Sequence, residues 1–266
     1  MIQDKITPLK LKHEINIMVV EDNLLNQKLA GFMIADWGFN YDTASNGKVA
    51  IENLHSANYD LILMDLHMPE MDGFETTEYI RKTLKLDVPI IAMTANLMEE
   101  EKEKCLSYDM TTIISKPINE AELYSIITKL LFSSAAKSEE TVVNDKAYSN
   151  EVVNLDYLVE LSKGNTHFVK EMITTFLAEN PKEIATLEKE ISSKNYEGIK
   201  QTAHLMLSSI PFIGLDKLIG NELYEIEKLA IDEAGPEKIE KLFTKVKETC
   251  AKARQELKAV PAPTLQ

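Results

Sequence analysis

Three carboxylates, one hydroxyl and one ammonium stand directly behind short apolar runs in the first half of the chain. Glu21 and Asp22 follow INIMVV, Asp65 follows LILM, Thr94 follows VPIIAM, and Lys116 follows TIIS. Taken singly, such residues are ordinary loop and helix-cap residues. Taken together they form a chemical set. Crowded carboxylates repel one another, and a divalent cation relieves the repulsion. Mg²⁺ suits this set, because it takes one or two carboxylates and completes its shell with water and phosphate oxygens. One carboxylate is then placed to attack a phosphoryl group and carry it covalently. The cation, the lysine and the hydroxyl would share the charge of the group in transfer.

A second candidate is a single histidine in the other half. At helical spacing Ile199, Ala203, Met206 and Ile210 fall within about 60° of one another, and His204 falls about 120–160° from that stripe. Its neighbours are Lys200, Gln201 and Ser208. The spacing predicts an imidazole turned away from the core, hydrated and accessible near neutral pH. His167, just behind the helix-start signal GNT, has no comparable company. A lone exposed histidine on a helix ordinarily has no function, so the weight on His204 comes from the first half of the chain.

The elements that must position these groups differ between the halves. Strand-length apolar runs lie at Ile15–Val20, Leu61–Met64, Val88–Met93 and Thr112–Ile114, with a weaker one near Asn40–Thr43. Helical spacing fills the intervals at Leu25–Asp36, Gly47–Ala57, Phe74–Leu84, Leu97–Tyr108 and Glu120–Phe132. This alternation predicts an α/β doubly wound domain with a five-stranded parallel sheet. Its ligands would bind beyond the C-terminal strand ends, where the chemical set falls. Residues 133–150 are small, polar and aperiodic, and read as a flexible linker. From about Asn154 only helical spacing remains, which predicts an all-α antiparallel helix bundle. In it Pro181 is expected in the first turn of a new helix, the place that tolerates proline.

Composition narrows the function classes. The net charge is −14, with −9 on residues 1–132 and −4 on residues 151–266, so neither half offers the basic face that nucleic acid requires. No apolar run reaches membrane-spanning length, and the polar N-terminus has no apolar signal core. The expectation is a cytoplasmic protein. Cys105 and Cys250 have no metal-type spacing and read as buried or idle thiols.

The strings VVEDN, LILMDLHMPEMDGFE, PIIAMTAN and ISKPI make about Ile15–Leu131 resemble the receiver domain of bacterial response regulators and hybrid kinases. The resemblance implies a flavodoxin-like fold in which Asp65 accepts the phosphoryl group. It implies that Glu21 and Asp22 form the acidic pair, and that Asp22, Asp65 and the main-chain carbonyl of His67 bind Mg²⁺. Thr94 would hydrogen-bond the phosphoryl group, Lys116 would pair with it, and the Lys116–Pro117 bond would be cis. The ring of His67 is expected to face solvent, and His67 and Asn96 stand where the family tunes phosphoryl lifetime. Ile113 departs from the pattern, since receivers usually carry Tyr or Phe there. That suits a domain passing phosphate along better than one driving an output domain.

About Asn154–Leu257, through IKQTAHLMLSSIPFIGLDKL, resembles histidine-containing phosphotransfer (HPt) domains, looking like their alanine–histidine pair in mid-helix with small residues one turn on. The resemblance implies that His204 is phosphorylated. Where the family often has a basic residue and then a glycine, this chain has Leu207 and Ser208. Leu207 would enlarge an apolar docking patch, Ser208 keeps close approach open, and Lys200 would partly replace the lost charge.

The resulting reading is a receiver domain at 14–132, a linker at 133–150, an HPt bundle at 151–258 and a frayed tail at 259–266. The chain would pass phosphate between a histidine kinase and a downstream response regulator receiver, by Mg²⁺-dependent phosphorylation of Asp65 and transfer involving His204. It has no ATP-binding glycine-rich box, so only phosphotransfer is expected of it, as part of a hybrid sensor kinase or as a separate relay protein. Two alternatives carry other expectations. One is a response regulator whose helical half is a partner-binding output module; the other is a metal-dependent phosphatase, which would turn over small phosphate esters.

Overall fold

Four apolar segments too short for helices, and one largely polar segment at the edge, become strands. A computed structural model describes residues 15–94, 99–132 and 152–259. Asn96, the whole of the expected linker and residues 260–266 of the tail lie outside the described residues. The chain divides into two compact units, the sheet with its helices and the later helices.

In the first unit β1 (Asn16–Val20), β2 (Asn40–Ala44), β3 (Leu61–Asp65), β4 (Ile90–Thr94) and β5 (Thr112–Ser115) form one sheet in the order β2-β1-β3-β4-β5. Every pairing is parallel. The central strands β3 and β4 are buried at every residue, which is why they read as unbroken apolar runs. The edge strand β2 is exposed at Asn40–Thr43, so its sequence signal is weak. Helices α1 (Leu24–Asp36), α2 (Gly47–Ser56), α3 (Gly73–Glu78), α4 (Glu99–Ser107) and α5 (Glu120–Phe132) alternate with the strands. One core cluster joins Met18, Val20, Ile62, Met64 and Ile90 of the sheet to Phe74, Ile80 and Cys105 of the helices. The strand order reverses about β1 and β3, so the crevice beyond their C-terminal ends is the place for a ligand.

The second unit holds a short helix α6 (Asp156–Leu161) and four long ones, α7 (Thr166–Ser192), α8 (Tyr196–Ser209), α9 (Asp216–Ile231) and α10 (Pro236–Ala259). The long helices pack in succession and α10 returns to α7, which closes a four-helix bundle. The core is built from i, i+3 and i+4 stripes such as Ile219, Leu223 and Ile226 on α9, and Phe243, Val246, Cys250 and Ala253 on α10.

Pro181 does not open a new helix: α7 runs unbroken through it for 27 residues. Proline in a helix interior removes one intrahelical hydrogen bond. Here the apolar stripe continues on both sides, with Met172 and Phe176 before and Ile184, Leu187 and Ile191 after, all buried. Burial of these side chains, at about 1.5–3 kcal/mol each, outweighs the lost bond. Gly214, which ends the 3₁₀ turn Ile210–Ile213, has φ 71°, and a Cβ there would lie 2.7 Å from that of Asn154. That conformation favours glycine.

Both cysteines are free and buried, and burial pushes each thiol up to about 11. No described helix is long and apolar enough to cross a membrane.

Candidate functional site

The register of the sheet brings the chemical set together. Asp65 ends β3 opposite Met93, Thr94 ends β4 opposite Ser115, and Lys116 follows at once, its amide donating to the Thr94 carbonyl at 2.6 Å. Glu21 follows β1, and its amide donates to the Ala44 carbonyl at 3.0 Å. The Lys116–Pro117 bond is cis. Beyond Asp65, the chain turns back through Gly73, whose amide donates to the Leu66 carbonyl at 3.1 Å. A Cβ at Gly73 would lie 2.3 Å from the Asp65 carbonyl oxygen, so only glycine lets α3 start this close to the site. The same start carries a capping box, in which the Asp72 carboxylate and the Glu75 carboxylate each accept the other residue's amide.

Lys116 donates from Nζ to Asp65 Oδ2 at 2.6 Å and lies 2.7 Å from Glu21 Oε2. All three side chains are nearly sealed from solvent. Burial works against the ammonium, but Asp65 and then Glu21 outweigh it and hold it well above the usual lysine range. Glu21 is pushed up to about 8, first by burial and then by Asp65, with Lys116 opposing. One carboxylate oxygen each from Glu21, Asp22 and Asp65 lies within 4.8 Å of the other two. Such a hard-oxygen cluster, with one carboxyl driven toward its neutral form by burial and then by a neighbouring carboxylate, fits a divalent cation of the Mg²⁺ type.

Thr94 and His67 share a partner the spacing does not foretell. The Thr94 hydroxyl donates to Glu101 Oε2 at 2.5 Å. The other oxygen of Glu101 lies 3.3 Å from Nε2 of His67. The His67 ring is half exposed, as expected of a ring that faces solvent, and also pairs with this carboxylate, while its amide donates to Asp65 Oδ1 at 3.2 Å. Glu101 escapes the sequence reading because it sits in EEEKEK, where any one glutamate looks like part of a solvated helix face. Ile113 packs, partly buried, against the core cluster.

In the bundle, Ile199, Ala203, Met206 and Ile210 are all buried, as their spacing predicts, and His204 lies off that stripe. It is not an open, hydrated side chain, however. His204 is 17% exposed, and its Nδ1 lies 2.8 Å from Oε1 of Glu227 on α9. Glu227 is 23 residues away, and which glutamate of α9 meets the imidazole depends on how two helices pack, which spacing within one helix does not encode. Lys200 turns to Glu197 one turn earlier, at 3.1 Å. Leu207 and Ser208 are half-buried, and the Ser208 hydroxyl donates to the Leu205 carbonyl at 2.8 Å. His167 is exposed at the start of α7.

The family model of the response regulator receiver domain matches residues 17–128. Among curated proteins, the histidine-protein kinase BarA of Shigella flexneri is 30% identical over 217 residues, covering 78% of this chain and 23% of that protein. The sensor protein EvgS of Escherichia coli K12 is 25% identical over 250 residues, covering 94% of this chain and 20% of that protein. The chain therefore spans less than a quarter of the length of these relatives, and both matches are too long to lie in the sheet unit alone. Among solved structures, the magnesium-bound receiver domain of a sensor histidine kinase from Pseudomonas aeruginosa PAO1 is 34% identical, covering 45% of this chain and 98% of that one, with a TM-score of 0.41.

Proposed function

Starting from residues 17–128 as a response regulator receiver domain of two-component signalling, we propose that the whole chain is a phosphorelay protein with two phosphoryl-carrying residues, Asp65 and His204. The observation that carries the reading is the Lys116 ammonium set between Asp65 and Glu21, with Asp22 in the same cluster. Asp65 attacks the phosphorus of a phosphohistidine on a partner kinase; a P–O bond forms as the P–N bond breaks, and the imidazole leaves. Lys116 moves its charge from Asp65 onto the incoming phosphoryl oxygens. Asp22, Asp65 and the His67 carbonyl would hold Mg²⁺ beside Glu21, and the cation when bound supplies further positive charge against those oxygens. Thr94 donates its hydroxyl to the phosphoryl group.

The second transfer uses the histidine of the bundle. Glu227 accepts a proton-bearing Nδ1, which leaves the Nε2 lone pair as the nucleophile. Nε2 attacks phosphorus on Asp65, of this chain or of a partner molecule; the bond to Asp65 breaks, and Asp65 departs as a carboxylate without a proton. The imidazole thereby gains positive charge, which the Glu227 carboxylate offsets. Ser208 and Leu207 flank the ring on the next turn, where a receiver would approach, and Lys200 stands one turn before. The domains would be a receiver at 14–132, a linker at 133–150 and a transfer bundle at 151–258, with a kinase and a second receiver as partners. The extent of the matches to BarA, a signal transduction histidine-protein kinase, and EvgS, a sensor protein, supports this arrangement.

The test follows the label. A chain phosphorylated in the presence of Mg²⁺ should carry base-labile label on Asp65 and acid-labile label on His204, and should pass it to a separate receiver. His204→Ala should keep the first label and lose both the second and the onward transfer. Onward transfer at the wild-type rate in His204→Ala would make the relay reading of the bundle wrong.

A further inference from the structure

Glu101 stands outside the chemical set, yet it is bonded to two members of the acceptor site. Its Oε2 accepts the Thr94 hydroxyl at 2.5 Å, its Oε1 meets Nε2 of His67 at 3.3 Å, and its side chain is 19% exposed. Thr94 itself is 1% exposed. A hydroxyl carries one proton and donates one hydrogen bond at a time. While Glu101 accepts it, that proton is not given to an oxygen on Asp65. The position normally filled by a large switch ring, moreover, is Ile113, so an aromatic partner for Thr94 is absent from that place.

We propose that Glu101 is a positioning residue that latches Thr94 away from Asp65, so that a phosphoryl group must win the Thr94 proton from the Glu101 carboxylate. The inference rests on the receiver reading of Asp65 given above. Exchange of the hydroxyl from Glu101 to a phosphoryl oxygen breaks one charge-assisted bond and forms another. It also removes the tie between the end of β4 and helix α4. The carboxylate then stands next to a group of its own sign with His67 as its neighbour, so phosphorylation loosens the hold on α4 through this residue.

The latch makes a prediction that a merely structural glutamate does not. Beryllofluoride with Mg²⁺, an unreactive stand-in for the phosphoryl group, is titrated into the full chain and its Glu101→Ala, Glu101→Gln, Thr94→Ala and double variants. Glu101→Ala should bind it roughly tenfold more tightly than wild type, the scale of one charge-assisted hydrogen bond released from competition. Glu101→Gln should gain less, because an amide oxygen still accepts the hydroxyl. In the Thr94→Ala background, Glu101→Ala should change nothing. An equal gain in both backgrounds, or no gain in either, overturns the latch while leaving the receiver reading intact. Failure of the wild-type chain to bind the probe at all overturns that reading, and the latch with it.

Discussion

In the sheet unit, Glu21, Asp22 and Lys116 stand within two residues of a strand end, and Asp65 and Thr94 are last residues of strands. In the bundle, the candidate residue His204 lies in mid-helix, and its partner Glu227 comes from a different helix. A parallel sheet ends all its strands along one rim, so residues remote in sequence meet without any requirement on side-chain packing. A bundle has no such rim, and a pair across two helices exists only if those helices pack in one rotation. The sheet site is therefore set by topology, and the bundle site by its core.

The comparison is sharpest where one unit is broken and the other kept. Phe176 is fully buried on α7, and Phe176→Ala should cost about 3–5 kcal/mol. Chemical denaturation followed by circular dichroism should show the helical transition displaced, while phosphoryl labelling of Asp65 persists. Lys116→Ala should leave the bundle untouched and slow labelling of Asp65 by a small phosphodonor by about 10²–10³-fold, the scale of losing one preorganised charge at a transferring group. A gel that retards phosphorylated protein measures it.

A pH dependence belongs to the bundle. Glu183, nearly buried on α7, is pushed up to about 7 by burial, against the hydrogen bond from Asn180. Its folded pKa lies above its unfolded one, so the stability it favours is complete below about 4.5 and is lost as pH rises through about 7. Glu183→Gln should remove that loss, about 3 kcal/mol at most, and denaturation midpoints at pH 5 and pH 8 should converge. The smallest effect compares like with like. Asp72→Ala in the sheet unit and Asn165→Ala in the bundle each delete a helix cap, and each should lower stability by about 1 kcal/mol. Only Asp72→Ala, whose helix starts against the Asp65 loop, should also slow labelling.

The legible parts of the molecule are those that local pattern determines. The strands of the sheet unit match their apolar runs within a few residues, because buried central strands leave an unbroken apolar signature. Helix α3, by contrast, ends at Glu78, and a π-helical turn at Tyr79–Thr83 carries the rest of the helical spacing expected there. The five residues of the chemical set are readable for the same reason, being fixed to strand ends. Pro181 shows where local chemistry misleads, since a proline that favours a helix start is overruled by a stripe that packs on both sides of it. Glu101 and Glu227 show where pattern stops. Each is one carboxylate among several on a helix, and its partner is chosen by how elements pack in three dimensions. The covered ring of His204 differs from its expectation through Glu227, whereas the ring of His67 is exposed as expected and is paired with Glu101 besides.

The central claim is tested most directly by incubating the chain with a small phosphodonor and Mg²⁺ and locating the adduct by mass spectrometry. The account predicts one base-labile phosphoryl group on Asp65, absent from Asp65→Ala. An unmodified Asp65, or labelling unchanged in Asp65→Ala, would contradict it.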